Sequence, residues 1–216
     1  MSEARIRRLP EEVSQKIAAG EVIERPHSVV KELVENALDA RAAEIQVFLE
    51  DGGKSLIRVV DNGHGMPPED ARICFLRHST SKISDEDDLM HITTLGFRGE
   101  ALPSISSVSR MTLKTAASGA IKGTQVRREG EKELEVVDTA FPTGTSIEVR
   151  DLFFNLPARR KFLKSERSEM TRITKTLTEI ALAHPDVRFS LTHGAREIFN
   201  LPPVKSLKER LSLIHI

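Results

Sequence analysis

The sequence predicts an α+β domain, a two-layer sandwich of helices on a mixed, mostly antiparallel sheet, and three observations carry that reading. An amphipathic helix near the start is followed at once by a β-hairpin. Strand-like alternation then returns in four stretches between residues 110 and 149 with no helix between them, unlike the regular strand–helix alternation of a doubly wound fold. Two helices and a closing strand pair complete the chain. Composition agrees, for 39% of the 216 residues are hydrophobic and 30% charged, a balance that can bury a core.

Taken in order, Pro26 suits a first helical turn, and Val30, Leu33, Val34, Ala37 and Leu38 recur at helical spacing, so a helix is expected over 26–40. Ile45, Val47 and Leu49 alternate with polar residues, Gly52-Gly53 turns the chain, and residues 56–60 return as a second strand. From Asp61 to about Gly99, glycine, hydroxyl residues, histidine and charge dominate, with only short helical stretches. A long segment of this kind is functional or mobile. Strands are expected over 110–115, 123–128, 134–138 and 145–149. Helices follow over 158–164, packing through Phe162 and Leu163, and over 168–184. The last strand pair covers 188–192 and 196–200. Leu201-Pro202-Pro203 reads as a linker, which gives one domain over 1–203 and, over 204–216, a linker or the truncated start of a further subdomain.

Net charge is zero but uneven: residues 151–216 hold 12 Lys/Arg and 7 Asp/Glu, a net of +5, leaving −5 for residues 1–150. The acidic front half does not read as a nucleic-acid surface. The basic back half fits either a contribution to one or a solvated helix face. No run approaches the ~18 apolar residues of a membrane span, and the start lacks the apolar core of a secretory signal. A cytoplasmic location, or a nuclear one in a eukaryote, is the default expectation. The single cysteine, Cys74, excludes an internal disulfide framework and a thiolate zinc site, and reads as a packing residue.

Five short segments carry chemistry. On the opening helix, Glu32 and Asn36 are four apart and share a polar face: a carboxylate that could poise a water beside an amide oxygen that could ligate a hard cation. The second strand runs into Asp61-Asn62-Gly63-His64-Gly65-Met66. There a strand-end carboxylate could accept from an adenine amino group, although Asn-Gly also makes an ordinary turn. Gly96-Phe97-Arg98-Gly99-Glu100-Ala101-Leu102 leads into a helix-like stretch whose backbone N–H groups suit phosphate oxygens. Arg77-His78-Ser79-Thr80-Ser81-Lys82 offers cationic and hydroxyl groups able to close over a polyphosphate. Pro142-Thr143-Gly144-Thr145 opens a strand. Neither GxxxxGK[ST] nor a strand-following GxGxxG occurs, which disfavours a P-loop or dinucleotide fold.

In this order, ELVENALDA (32–40), DNGHGM (61–66), GFRGEAL (96–102) and Gly144-Thr145 resemble the four nucleotide-site motifs of the GHKL ATPases, with their Bergerat ATP-binding fold. IAAGEVIERP (17–26), RHSTSKI (77–83), TLGFRGEAL (94–102) and PARRKFL (157–163) look specifically like the MutL family of DNA mismatch repair proteins, over roughly residues 8–205. The resemblance implies ATP and Mg²⁺ as ligands and Glu32 as the general base acting on the attacking water. It implies Asn36 as the Mg²⁺ ligand and Asp61, assisted by Thr145, as the adenine acceptor. Asn62, Gly63, Gly65 and Met66 would surround the nucleotide. Thr80, Ser81 and Lys82 would lie in a lid, and Gly96, Phe97, Arg98, Gly99, Glu100, Ala101 and Leu102 would supply phosphate contacts. Arg159, Arg160 and Lys161 would contribute weak, non-specific DNA binding, which the local reading leaves even with a solvated structural helix.

The family further implies ATP-dependent homo- or heterodimerisation through the N-terminal region. It implies a mismatch-recognition partner of the MutS type, and a nicking endonuclease or helicase downstream. Its second N-terminal subdomain lends a lysine to the γ-phosphate, so hydrolysis is expected to be weak without it. Pro103 and Leu156 depart from the family pattern, as does the ending at residues 211–216. A nucleotide-gated binding module with negligible hydrolysis is the rival reading. A type II topoisomerase ATPase would need different flanks, and a histidine kinase would need a preceding phospho-acceptor helix.

Overall fold

Pro26 begins helix α1, Pro26–Asp39, and Val29, Val30, Leu33, Val34 and Ala37 line its buried stripe. Each of the larger side chains contributes roughly 1.5–3 kcal/mol by leaving water. The helix stops without a glycine. Arg41 takes φ 58°, while the N–H groups of Arg41 and Ala42 donate back to the carbonyls of Leu38 and Ala37, satisfying the last turn. The computed structural model describes residues 23–82, 94–96 and 99–214.

Strand β1, Glu44–Glu50, turns through a single 3-10 turn at Asp51–Gly53 into β2, Leu56–Asp61, and the two pair antiparallel as the sequence predicts. Short helices α2, Pro68–Ile73, and α3, Ala101–Ser107, lead into β3, Arg110–Ala116; β4, Gly123–Glu129; β5, Lys132–Thr139; and β6, Gly144–Arg150. Helices α4, Pro157–Phe162, and α5, Glu166–Ala183, precede β7, Arg188–His193, and β8, Arg196–Leu201. Among the described residues, the eight strands form one sheet in the order β5-β4-β3-β6-β2-β1-β7-β8. Every pairing is antiparallel except β1 with β7, so the sheet is mixed and mostly antiparallel.

Alternation sorts the two faces. Ile45, Val47, Leu49, Ile57, Val59, Leu113, Ile147, Phe189 and Leu191 are buried in the core with α1 and with Ile173, Leu177 and Ala181 of α5. The intervening residues face the other way, where the Arg58 guanidinium lies 4.4 Å from the Phe48 ring centroid and Arg150 pairs with Glu148 at 2.7 Å. At the start of α1, Arg25 reaches the fully buried Glu169 of α5 at 2.7 Å, and the same carboxylate oxygen accepts from Lys164 N at 2.8 Å. Removing one partner of such a pair typically costs about 3–5 kcal/mol, because the other charge stays buried. The pair therefore locks the two core helices together.

Two elements differ from expectation. Phe162 was expected to pack α4 onto the body, yet it is 76% exposed and α4 has no buried residue. The helix is only six residues long and ends at Phe162; Leu163, as expected, and Leu156 on its other flank make the core contacts. Beyond Leu201 the chain turns back, with Val204 N donating to Pro185 O at 2.8 Å. It forms α6, Leu207–Ile214, whose buried Arg210 donates to the carbonyls of Pro185 and Val187 at 2.8 and 2.6 Å. At the end of α2, burial pushes the Cys74 thiol up to about 12, which keeps it protonated and unreactive. No described helix is long and apolar enough to cross a membrane.

Candidate functional site

Sheet register assembles the first half of the site. Asp61, the last residue of β2, stands opposite Thr145 on β6; Thr145 stands opposite Thr115 on β3, and Thr115 opposite Thr124 on β4. This gives one polar row across four strands on the face toward the helices, continued on β1 by Ile45. Thr115 is the hub of the row. Its fully buried hydroxyl donates to Gly144 O at 3.0 Å, accepts from Met66 N at 2.9 Å and lies 3.0 Å from Thr145 Oγ1. The loop at 61–66 and the Gly144-Thr145 turn are thus tied to each other through a residue that neither segment contains.

Burial pushes the Asp61 carboxyl from 3.8 up to about 6, even though the backbone N–H groups of Gly63 and Thr145 favour its charged form. Gly63 N donates to Asp61 Oδ1 at 2.8 Å, and His64 N donates to Ala40 O at 3.0 Å, which fixes the loop beneath the C-terminal end of α1. Gly65 has φ +66°, and a side chain there would overlap the Ala116 carbonyl, so the close approach is between this loop and the end of β3. The Asn62 side chain turns away from Asp61. Its Oδ1 accepts from the N–H groups of Ala43 and Glu44, both at 2.9 Å, and closes the start of β1. The Met66 side chain packs against the core.

The second half of the site lies along α1. Asn36 Oδ1 accepts from Lys82 Nζ at 2.9 Å, and Lys82 Nζ also pairs with Asp39 at 2.6 Å. Asp39 accepts in addition from Leu95 N at 2.9 Å and Gly96 N at 3.2 Å, while Gly96 O accepts from Thr94 Oγ1 at 2.9 Å. Thr80 Oγ1 accepts from Lys82 N at 3.1 Å, and Ser81 is exposed. The expected lid and glycine segments also meet through Gly99. Its φ is +61°, and a Cβ there would come within 2.6 Å of Ser79 O. His78 Nδ1 lies 3.0 Å from Glu100. Phe97 and Arg98 lie outside the described residues. Ala101 and Leu102 open α3 half-buried, and Pro103 leaves that first turn one backbone N–H short.

Glu32 lies one turn before Asn36, with 30% of its side chain exposed and Lys31 Nζ 4.0 Å away. At 1.5 Å of rise per residue, Glu32 stands roughly 12 Å along the axis from Ala40, the residue above the Asp61 loop. The site is therefore elongated, with a buried acceptor at one end and a poised carboxylate at the other. A groove of about 980 Å³ runs instead between α5 and the β7–β8 edge past Met170, Thr174, His193 and Ile198. That groove touches none of these groups. The Asn36 side is closed by Lys82 itself.

The three basic residues of α4 divide. Arg159 Nη1 donates to Ile23 O at 3.2 Å, and its guanidinium lies 5.8 Å from the Phe153 ring centroid, so it braces the entry to α1. Arg160 and Lys161 are exposed. Two further residues escaped the sequence reading. Asp39 was visible as a third polar residue on the α1 face, three after Asn36. Thr115 carried no signal, because a threonine within a strand is ordinary.

Residues 23–151 match the family described as histidine kinase-, DNA gyrase B- and HSP90-like ATPase. A DNA mismatch repair protein MutL from Desulforamulus reducens is 55% identical over 206 residues, covering 95% of this chain and 32% of that protein. One from Solibacter usitatus is 54% identical over 207 residues, covering 96% and 31%. This chain thus spans about a third of the length of these relatives. Among solved structures, the Aquifex aeolicus MutL ATPase domain complexed with ADP superposes with a TM-score of 0.76 at 40% identity, covering 90% of this chain and 70% of that one. With the family model spanning residues 23–151 and the likeness to an ATPase domain extending over nine-tenths of the sequence, the chain belongs to the histidine kinase-, DNA gyrase B- and HSP90-like ATPases and, within them, to the MutL mismatch repair proteins.

Proposed function

We propose that this domain binds ATP between Asp61 and the Asn36 face of α1 and hydrolyses it. The observation that carries the reading is the buried Asp61–Thr145–Thr115 row at one end of a helix face that presents Asn36 and Glu32 at the other. An adenine amino group can donate to the Asp61 carboxylate, which at neutral pH lies above its value of about 6 and is ionised. The ~12 Å along α1 then carries the polyphosphate toward Glu32.

A hard cation fits the phosphate end. Asn36 Oδ1 already faces a cationic group, Lys82 Nζ at 2.9 Å, and neutral oxygen donors suit Mg²⁺ held jointly by substrate phosphates. No group of three or more His, Cys, Asp or Glu able to hold a metal occurs among the described residues, and a nucleotide-borne ion needs none. When bound, Mg²⁺ supplies charge neutralisation to the phosphates. Glu32 accepts the proton of the attacking water as its oxygen bonds to the γ-phosphorus and the bond from that phosphorus to the β–γ bridging oxygen breaks, releasing ADP and phosphate, while Lys82 draws on the phosphate oxygens.

For the whole protein, of which this chain matches about a third, we propose the coupling that the family name suggests. Nucleotide-gated ordering of the 77–98 region would drive dimerisation and link a MutS-type mismatch-recognition partner to a strand-nicking or unwinding enzyme on DNA. A second reading, binding without appreciable turnover, is favoured by Lys82 occupying the Asn36 face.

Equilibrium binding of a non-hydrolysable ATP analogue with Mg²⁺, followed by ATP turnover, tests both. Binding with turnover that drops about 10²–10⁴-fold in Glu32→Ala, at unchanged affinity, supports hydrolysis through that base. Binding with no turnover favours the second reading, and a folded protein that binds nothing overturns both.

A further inference from the structure

Asp39 stands in the last turn of α1, where a carboxylate faces the negative end of the helix dipole and is by itself unfavourable. Its side chain is only 9% exposed. Both costs are offset by three donors that converge on it from two other segments: Lys82 Nζ at 2.6 Å, Leu95 N at 2.9 Å and Gly96 N at 3.2 Å. Lys82 also donates to Asn36 Oδ1 at 2.9 Å, so one ammonium bridges the carboxylate and the amide that share a helix face.

The geometry points to Asp39 as a positioning residue for the proposed nucleotide site: one carboxylate gathers the lid lysine and the glycine-segment backbone over Asn36. The inference rests on the nucleotide reading above only for what the gathered groups then contact. Asp39 itself stays one turn away from the phosphates. Held by the carboxylate, Lys82 lies within a side-chain rotation of any phosphate at Asn36, and an arriving cation at Asn36 Oδ1 repels it toward that phosphate. The Leu95 and Gly96 amides are fixed by the same anion.

The test is a double-mutant cycle with Asp39→Asn, Lys82→Gln and the combination, read as affinity for a non-hydrolysable ATP analogue with Mg²⁺ and as amide exchange at Leu95 and Gly96 in the nucleotide-free protein. Both substitutions are close in size to the native side chains, and unchanged thermal midpoints establish that the fold is kept. Asp39→Asn should weaken binding about tenfold and speed exchange at Leu95 and Gly96, while Lys82→Gln should weaken binding and leave those two amides protected. The double variant should bind no worse than the weaker single variant, because Asp39 acts on the nucleotide largely through Lys82. Losses that multiply, or unchanged exchange at Leu95 and Gly96 in Asp39→Asn, overturn the assignment. If wild type binds no nucleotide, the functional reading fails, and the exchange measurement still decides whether Asp39 organises the two segments.

Discussion

Replacing Asp61 by asparagine should make the nucleotide-free protein more stable and its nucleotide binding worse. Burial raises the Asp61 carboxyl from 3.8 to about 6, so the folded chain holds this proton more tightly than the unfolded chain. The stability that it contributes is therefore fully present below about 3.8 and is lost as pH rises through about 6. A difference of roughly two pK units is worth ~3 kcal/mol, the strain that the folded protein carries at neutral pH to keep an ionised acceptor in its interior. Asparagine has nearly the same shape and no charge to bury. At pH 7.5 the variant should gain up to ~3 kcal/mol, and at ~2–4 °C per kcal/mol for a chain of this size its thermal midpoint should rise by several degrees. Near pH 4.5 most of that advantage should vanish, because wild-type Asp61 is then protonated.

Binding should move the other way. Gly63 N already takes Asp61 Oδ1 at 2.8 Å, so an asparagine oriented to keep that bond turns its amino group toward the adenine amino group, donor against donor. Loss of a buried hydrogen bond to a charged group costs about 1.5–3 kcal/mol, or about 10–100-fold in affinity. Thermal melts of both proteins from pH 4.5 to 7.5 without nucleotide, paired with analogue binding at pH 7.5, test both arms. A variant no more stable than wild type at pH 7.5, or a stability difference independent of pH, would refute the buried-charge argument. Undiminished binding would refute the role of Asp61 as acceptor.

Thr115→Val keeps the shape of the side chain but leaves the Met66 N–H without its acceptor and Gly144 O without its donor. A destabilisation of about 2–3 kcal/mol, seen as a lower midpoint in urea unfolding, together with weaker nucleotide binding, is expected; a neutral outcome would remove Thr115 as the hub. Arg160→Ala with Lys161→Ala should weaken non-specific DNA binding and flatten its salt dependence without altering the thermal midpoint, since both side chains are exposed. Arg159→Ala should instead lower the midpoint, because its guanidinium holds Ile23 O. DNA affinity that responds to Arg159 alone would contradict this division.

Most elements were legible because their signals are local. Periodicity located α1, α5 and all eight strands to within about two residues. Only part of the site was equally local. Glu32 and Asn36 share a face by helix geometry, a face on which Asp39 passed unread, and Asp61 stands at a strand end where a turn begins. Phe162 misled because a hydrophobic residue inside a short helix looks like a packing residue, and only the position of the neighbouring leucines leaves it 76% exposed. Helix α6 escaped because its anchor is an arginine, and sequence alone does not distinguish a buried Arg210 capping two carbonyls from a solvated one.

The sequence by itself determined the class of fold, the order of its strands and longer helices and the polar segments proposed for the nucleotide site, since each depends on residues close together in the chain. The tertiary structure alone decided how those segments join. Strand register sets Thr145 beside both Thr115 and Asp61, residues 30 and 84 positions away from it. Chain closure brings Lys82 and Gly96 onto Asp39, 43 and 57 positions earlier. Such pairings depend on where whole strands and loops are held by the core, and no local preference of a threonine, a lysine or a glycine encodes them.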